Sequence, residues 1–419
     1  MRPSIRPPRL VIHGGPILLS AGEGWLERGY AIVEGDRIKE VGPGDAPGAG
    51  DGECRIDLDG RRLLPGLVDS HFHLVSRSAA QVDEDLVAGG MVEGVVTAVT
   101  RLVGGVTTVR DCGCRHHGIH RLRQAIDSGL VPGPRAVVAG RNPTTPQAPD
   151  HWRNVTAEGA KGIASAVEGE LARGADFVKM ILAHAEDPTD WAGVTSYLDD
   201  EELAAGVEAA HSAAARIGVH CEGRYEARRA VEAGVDVLDH APLLDQHTVE
   251  LMAERHAVYV PTIWAFSADS GLDGPAATAV AKWQEEHRRS VQRALAAGVV
   301  IAAGSDAAGS LPHADVLVDE METLVASGLT PLQALAAATT GGAEAIGVAG
   351  RIGVVRPGTR ADLMVVDADP TTDLATLRRP VTVIAAGRVH DPAALREEWA
   401  QAIETTPAIA SNTSRWSHA

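Results

Sequence analysis

Six side chains of metal-binding type recur along the 419-residue chain: His71, His73, Lys179, His220, His240 and Asp306. His71-Phe72-His73 follows the apolar run Leu67-Val68-Asp69, which reads as a strand. Residues i and i+2 of an extended segment point the same way, so both imidazoles can face one centre. A His-x-His pair alone is weak evidence, because single histidines are usually ordinary core or surface residues. The signal sharpens because Lys179 lies within a later strand-like run, His220 and His240 end two more, and Asp306 follows another in Ala303-Gly304-Ser305-Asp306. Four imidazoles, a carboxylate and a lysine withdrawn from water need their desolvation offset, and divalent metal is the simplest means. An ammonium would repel such ions. Carbamylation by CO₂ would instead turn the Lys179 nitrogen into an anionic carboxylate able to bridge two of them.

The elements that must position these groups are legible as apolar runs at residues 67–69, 106–109, 135–139, 177–181, 218–220, 235–238, 258–260 and 299–302. Ala-rich stretches of helical spacing, such as residues 201–216, separate them. Eight strands alternating with helices predict an α/β fold of the (β/α)₈ TIM-barrel type, whose chemistry sits at the C-terminal strand ends. A doubly wound open sheet is the alternative. Residues 10–64 read as short strands broken by glycine-containing turns, with a break at His13-Gly14-Gly15-Pro16. The chain turns β-like again after Ala345, at 351–353, 362–367 and 380–385. The expected organisation is a discontinuous β domain from residues 1–64 and 346–395, a barrel from 65–345, and a helical, frayed tail from 396–419.

Composition narrows the partners. Lys and Arg total 38 against 56 Asp and Glu, a net charge of -18, and there is no basic run to track nucleic-acid phosphates. No apolar stretch of about 18 residues offers a membrane span, and the positively charged start lacks the apolar core of a signal peptide. Four scattered cysteines are too few for a disulfide framework. The expectation is a soluble, reduced, cytoplasmic protein that acts on a small molecule; whether it forms a homo-oligomer stays open.

The metal-type residues, with Leu64-Pro65-Gly66-Leu67-Val68-Asp69-Ser70-His71, resemble the amidohydrolase superfamily, in its imidazolonepropionase-like and prolidase-type branch. Further matches are Gly105-Val106-Thr107-Thr108-Val109-Arg110-Asp111, Gly133-Pro134-Arg135, and Pro357-Gly358 followed by Ala361-Asp362-Leu363. The resemblance spans residues 10–390. It implies a binuclear, usually zinc, centre on a TIM barrel with a split β-sandwich. By position, His71, His73 and Asp306 would hold the more buried metal, His220 and His240 the second, and carboxylated Lys179 would bridge. A metal-bridging hydroxide would be the nucleophile. Asp306 would take its proton and pass it to the leaving nitrogen, while the ion at His220 and His240 polarises the carbonyl.

Two departures fall where substrate would bind. Prolidase-type members carry a Gly-Gly-His loop after the third strand; residues 140–152 keep His151 as a candidate catalytic or substrate contact, but Pro149-Asp150 replaces the glycines. Two positions past the fifth-strand ligand, relatives often place Tyr or His. This chain has Glu222, then Arg224 and Tyr225, all candidate substrate contacts. Glu222 either faces the pocket, favouring a cationic substrate, or pairs with Arg224. Cys112-Gly113-Cys114 with His116, His117 and His120 could describe a second soft-metal site, but a Cys-x-Cys without a partner pair reads better as loop packing or substrate contact. The expected activity is hydrolysis of a C–N amide-type bond in a dipeptide or N-acyl amino acid. A cyclic amide, imidazolone or amine-bearing ring is the alternative, and a metal-poor binding protein a second one.

Overall fold

The computed structural model describes residues 4–48, 50, 52–75, 84–114, 116–148, 154–185, 193–266, 274–308 and 314–405. Seven parallel strands follow one another as a TIM-barrel-like α/β ring: Leu67–His73, Val106–Asp111, Arg135–Val138, Val178–Ala185, Ile217–Cys221, Val237–His240 and Val258–Val260. They fall into two hydrogen-bonded sheets. The gap between the third and fourth strands is crossed where the Asp176 amide donates to the Val138 carbonyl at 2.8 Å.

The eighth expected strand, 299–302, is reduced to a single bridge between Tyr259 and Ile301. The chain still closes the circuit there, because the Ala302 amide donates to Tyr259 and the Ser70 amide to Ala303. Just beyond, the backbone passes close against its neighbours: a Cβ on Gly304 would lie 2.7 Å from the His71 Cβ and 2.7 Å from Val260 Cγ1.

The strands from both chain ends join in one nine-stranded mixed sheet, where a two-sheet sandwich was expected. It includes Leu363–Val366, Thr382–Ala385 and Arg388–His390 from the C-terminal part, and it has its own apolar cluster around Leu10, Ile12, Ile17, Leu63 and Leu363. The expected break at residues 13–16 is absent. Arg9–Ser20 runs as one strand with register shifts on either side of Gly15, and Gly14 at φ 87° supplies a bulge rather than a stop. Residues 351–353 form no strand. Asp362 ties the sheet to the ring: its carboxylate takes Arg135 at 3.1 Å and the Ala386 amide at 2.6 Å.

The helix expected over 201–216 spans Asp200–Ser212. Asp199 and Glu202 close a reciprocal capping box at its start, and Ala214 at φ 55° turns the chain into the next strand. The last helix is Pro392–Thr405; the rest of the expected tail lies outside the described residues. Among the described residues no helix is long and apolar enough to cross a membrane.

His390 in the nine-stranded sheet makes stability depend on pH. It is buried, with Nδ1 2.8 Å from Ser4 Oγ, and burial, aided by Arg388, pushes its imidazole down to about 4. The unfolded chain takes up that proton near pH 6.5 while the fold resists it, so this contribution is intact above that pH and is lost as pH falls toward 4. Between pH 7.5 and 4.5 wild type should lose roughly 2–3 kcal/mol more than His390→Gln in urea unfolding. Equal losses would show that His390 ionises alike in both states.

Candidate metal centre

The ring brings the six metal-type side chains together. His71, His73, Lys179, His240 and Asp306 are all buried, and the His220 side chain is 13% exposed. Asp306 Oδ1 lies 3.4 Å from His71 Nε2 and 3.5 Å from His73 Nε2. The His71 ring centre is 4.7 Å from that of His240, which is 4.4 Å from that of His220. His71, His240 and Asp306 each offer a ligand atom within 4.8 Å of the others.

The neighbours of these imidazoles decide which nitrogen can ligate. His73 Nδ1 is 3.0 Å from the Gly113 carbonyl, which can only accept, so the proton belongs on Nδ1. His71 Nδ1 faces Asp239 Oδ1 at 3.1 Å, with the same consequence. His240 Nδ1 is 2.7 Å from Thr262 Oγ1, whose own hydroxyl donates to the Pro261 carbonyl, so the threonine accepts from the ring. In all three rings Nε2 keeps its lone pair, the arrangement of metal-bound histidines oriented by outer partners. Burial holds His71 below its ordinary value and pushes His220 down to about 4, so both stay neutral. The His220 Nε2 is buried without a hydrogen bond. A donor set of neutral imidazoles and carboxylate therefore fits a divalent cation.

Beside this set lies a cluster of fixed charges. Asp239 is fully buried, 3.0 Å from Arg110 Nη1, and also pairs with the Lys179 ammonium. Burial alone would raise the Asp239 carboxyl, but Arg110, Lys179 and His71 hold it well below the usual carboxylate range. Burial lowers Lys179 against the pull of Asp239. The Arg110 guanidinium fits because Gly218 faces it, and a Cβ at that position would fall on Nη2. Asp69 straps the last segment to the first strand. It accepts from the Ser305 amide at 2.9 Å, the Ser305 hydroxyl at 2.6 Å and the His71 amide at 3.3 Å.

His240 at φ 68° and Asp306 at φ 48° occupy left-handed backbone, a conformation costing such residues roughly 1–3 kcal/mol. Sequence reasoning missed this, and with it Asp239. Strand alternation would turn one of two adjacent residues away, but the left-handed turn at His240 lets Asp239 and His240 both serve the centre. The only sequence signal for Asp239 was its adjacency to His240. Arg110 and Asp69 stood inside quoted motifs without an assigned role, and Thr262 and His184 carried no sequence signal.

Glu222 is 2% exposed and does not pair with Arg224. Its Oε2 accepts from the Ala185 amide at 2.8 Å and lies 2.9 Å from His184 Nδ1, while Oε1 is 3.4 Å from His220 Nε2. Burial opposes its charge, yet His184 and His220 hold the carboxyl well below its ordinary value. Arg224 and Tyr225 begin the following helix and are exposed, Tyr225 by 63%, with its ring facing Arg229. His151 lies outside the described residues. Among the described residues, the Cys112–His120 segment forms no metal-type cluster of its own. Cys114 enters the ring core, and His117 reaches Glu170 at 3.1 Å. Cys112 groups instead with His71 and Asp239, where burial pushes its thiol up to about 12 and keeps it protonated.

The sequence profile of the Amidohydrolase family matches residues 62–389. Imidazolonepropionase of Micrococcus luteus is 29% identical over 382 residues, covering 82% of this chain and 88% of the relative. An ochratoxinase of Aspergillus niger is 27% identical over 368 residues, covering 77% of this chain and 73% of the relative. A crystal structure of a Xaa-Pro dipeptidase with methionine bound in its active site matches with a TM-score of 0.80 at 25% identity, covering 91% of this chain and 100% of the other. With a match over most of its length and this arrangement of side chains, the chain belongs to the amidohydrolase family and is a hydrolase acting on carbon–nitrogen bonds.

Proposed function

We propose that this enzyme hydrolyses the amide-type bond of a small molecule of dipeptide or N-acyl amino acid type, using two divalent cations, zinc by donor type, and a carboxylated Lys179. The observation that carries the reading is the convergence of the His71 and His73 Nε2 atoms on Asp306, with the other nitrogen of each ring committed elsewhere. Members of the family generally use divalent metals. Likeness to a Xaa-Pro dipeptidase favours a linear amide, and likeness to an imidazolonepropionase keeps a cyclic amide as the second reading. The catalytic domain is assigned to residues 65–345, with 1–64 and 346–395 as its discontinuous companion.

Bound cations would polarise the substrate carbonyl and make a coordinated water acidic enough to attack at neutral pH. The chain's own residues do the rest. Asp306 is the carboxylate positioned to accept a proton at the centre and return it to the leaving nitrogen. Its strained backbone is held by the hydrogen bond from its own amide to the His71 carbonyl, at 2.8 Å, and by the Asp69–Ser305 strap. Burial lowers Lys179 toward the neutral amine, which is the form that captures CO₂. A carboxylated nitrogen cannot keep the ion pair with Asp239, so that carboxylate would then rest on Arg110 and His71. His151, Arg224 and Tyr225 stay as proposed substrate contacts. The buried Glu222 is placed with the imidazoles instead.

Metal analysis of dialysed protein should return two divalent ions per chain. Lys179→Ala should retain fewer and lose turnover, with formate partly restoring it by filling the gap. Wild-type metal content and activity in Lys179→Ala would make the lysine a plain partner of Asp239.

Asp306→Asn keeps an oxygen at the site but cannot take up the proton. The rate of amide cleavage should fall by about 10²-fold or more, with a smaller change in metal content. A kcat that survives the exchange would assign proton transfer to another group.

A further inference from the structure

Glu320, on the helix Val316–Ala326, is fully buried and stands outside the ligand set. Its Oε2 accepts from the Trp264 amide at 2.7 Å and its Oε1 from the Ile263 amide at 3.2 Å. These amides open the short 3₁₀ turn Ile263–Phe266, and the first donors of such a turn have no partner within it. The residue just before them is Thr262, whose hydroxyl accepts from His240 Nδ1 at 2.7 Å. At the far end of the turn, Phe266 sets its ring 5.5 Å from that of His240, edge to face. Two contacts that orient His240 thus come from one segment, and one carboxyl group anchors that segment.

We propose that Glu320 is a positioning residue for the metal centre: by anchoring residues 262–266 it holds Thr262 against the His240 ring and so directs His240 Nε2 at the second cation. The inference rests on the two-metal reading above and keeps its ligand assignment.

The alternative is a plain structural tie between the helix and the loop after Val258–Val260. Two observations argue against it. Thr262 is β-branched and sits at φ 50°, in left-handed backbone that such residues rarely adopt. Strain of that kind persists where the surroundings over-determine it, and the bonds to the next two amides do so. The place of Glu320 is also unfavourable for an acid. Burial first, then the carboxylates of Asp69 and Asp306, push its carboxyl up to about 8 against the pull of the two amides. What is gained in return is a fixed backbone at residues 262–266, from which Thr262 and Phe266 both reach His240.

Cobalt-substituted full-length enzyme tests this, reading the visible Co²⁺ spectrum, the affinity for each ion in competition with a chelator, and thermal stability. In Glu320→Gln the side-chain oxygen still meets one amide, but its NH₂ faces the other, so one bond is lost. One of the two ions should bind about 10- to 100-fold more weakly and its bands should shift, with the other ion unchanged. Thr262→Val, which takes the hydroxyl from His240, should do the same. Because both changes act through one contact, the double variant should be no more than about twofold weaker than the worse single one. Glu320→Asp keeps an acceptor on a shorter arm, should lose less, and reports in its place where Glu320→Gln folds poorly. Wild-type affinities and spectrum in both Glu320 variants, whatever stability they lose, would make Glu320 a structural tie and overturn the proposal. Losses that multiply in the double variant would overturn it too, since Glu320 would then act by a route other than Thr262. A wild type that takes up fewer than two ions would defeat the two-metal reading, and the proposal with it.

Discussion

A carboxylate with no access to water, Asp239, sits against the Arg110 guanidinium, the Lys179 ammonium and the His71 imidazole. Taking a single ion out of water costs several kcal/mol, so neither cation could be held at this depth without it. Arg110, Lys179 and Asp239 come from the second, fourth and sixth strands of the ring. One buried charge therefore joins three strands and fixes the lysine at the centre. Gly218 on the fifth strand leaves the space that the guanidinium fills.

Around that charge the imidazoles are oriented from behind. A backbone carbonyl, a carboxylate and a hydroxyl take up the Nδ1 positions of His73, His71 and His240, which leaves Nε2 of each ring for a ligand. This places the cost of ordering the site on hydrogen bonds already made in the folded chain. The left-handed backbone at His240 and Asp306 belongs to the same economy. Strain at those two residues is tolerated because Asp69 and Ser305 on one side, and Thr262 on the other, hold the segments concerned.

Glu222 illustrates how the surroundings of a residue decide its role. In the linear sequence its near neighbour Arg224 offers an opposite charge, and a solvent-facing ion pair was one of two expectations. In the fold Arg224 starts a helix on the exposed side, while the Glu222 carboxylate turns inward to the Ala185 amide and two imidazoles. The choice between partners was made by burial, because a carboxylate that leaves water must find donors within the protein.

What the sequence determined by itself was the kind and order of the reactive groups and the rhythm of the elements carrying them. His71-x-His73 on an extended run, Lys179 inside a strand, and His220, His240 and Asp306 near strand ends are local facts, set by two-residue alternation and strand length. The tertiary structure decided everything that depends on approach between distant segments. It reduced residues 299–302 to one bridge, and it carried Arg9–Ser20 through an expected break by a bulge at Gly14. It turned Asp239 to the same centre as His240, set the protons on three imidazoles, and drew Glu222 to His184 and to the Ala185 amide, the latter 37 positions before it. Hydrogen-bond partners and left-handed turns are properties of close neighbours in space, and a one-dimensional pattern holds no record of which neighbours burial will enforce.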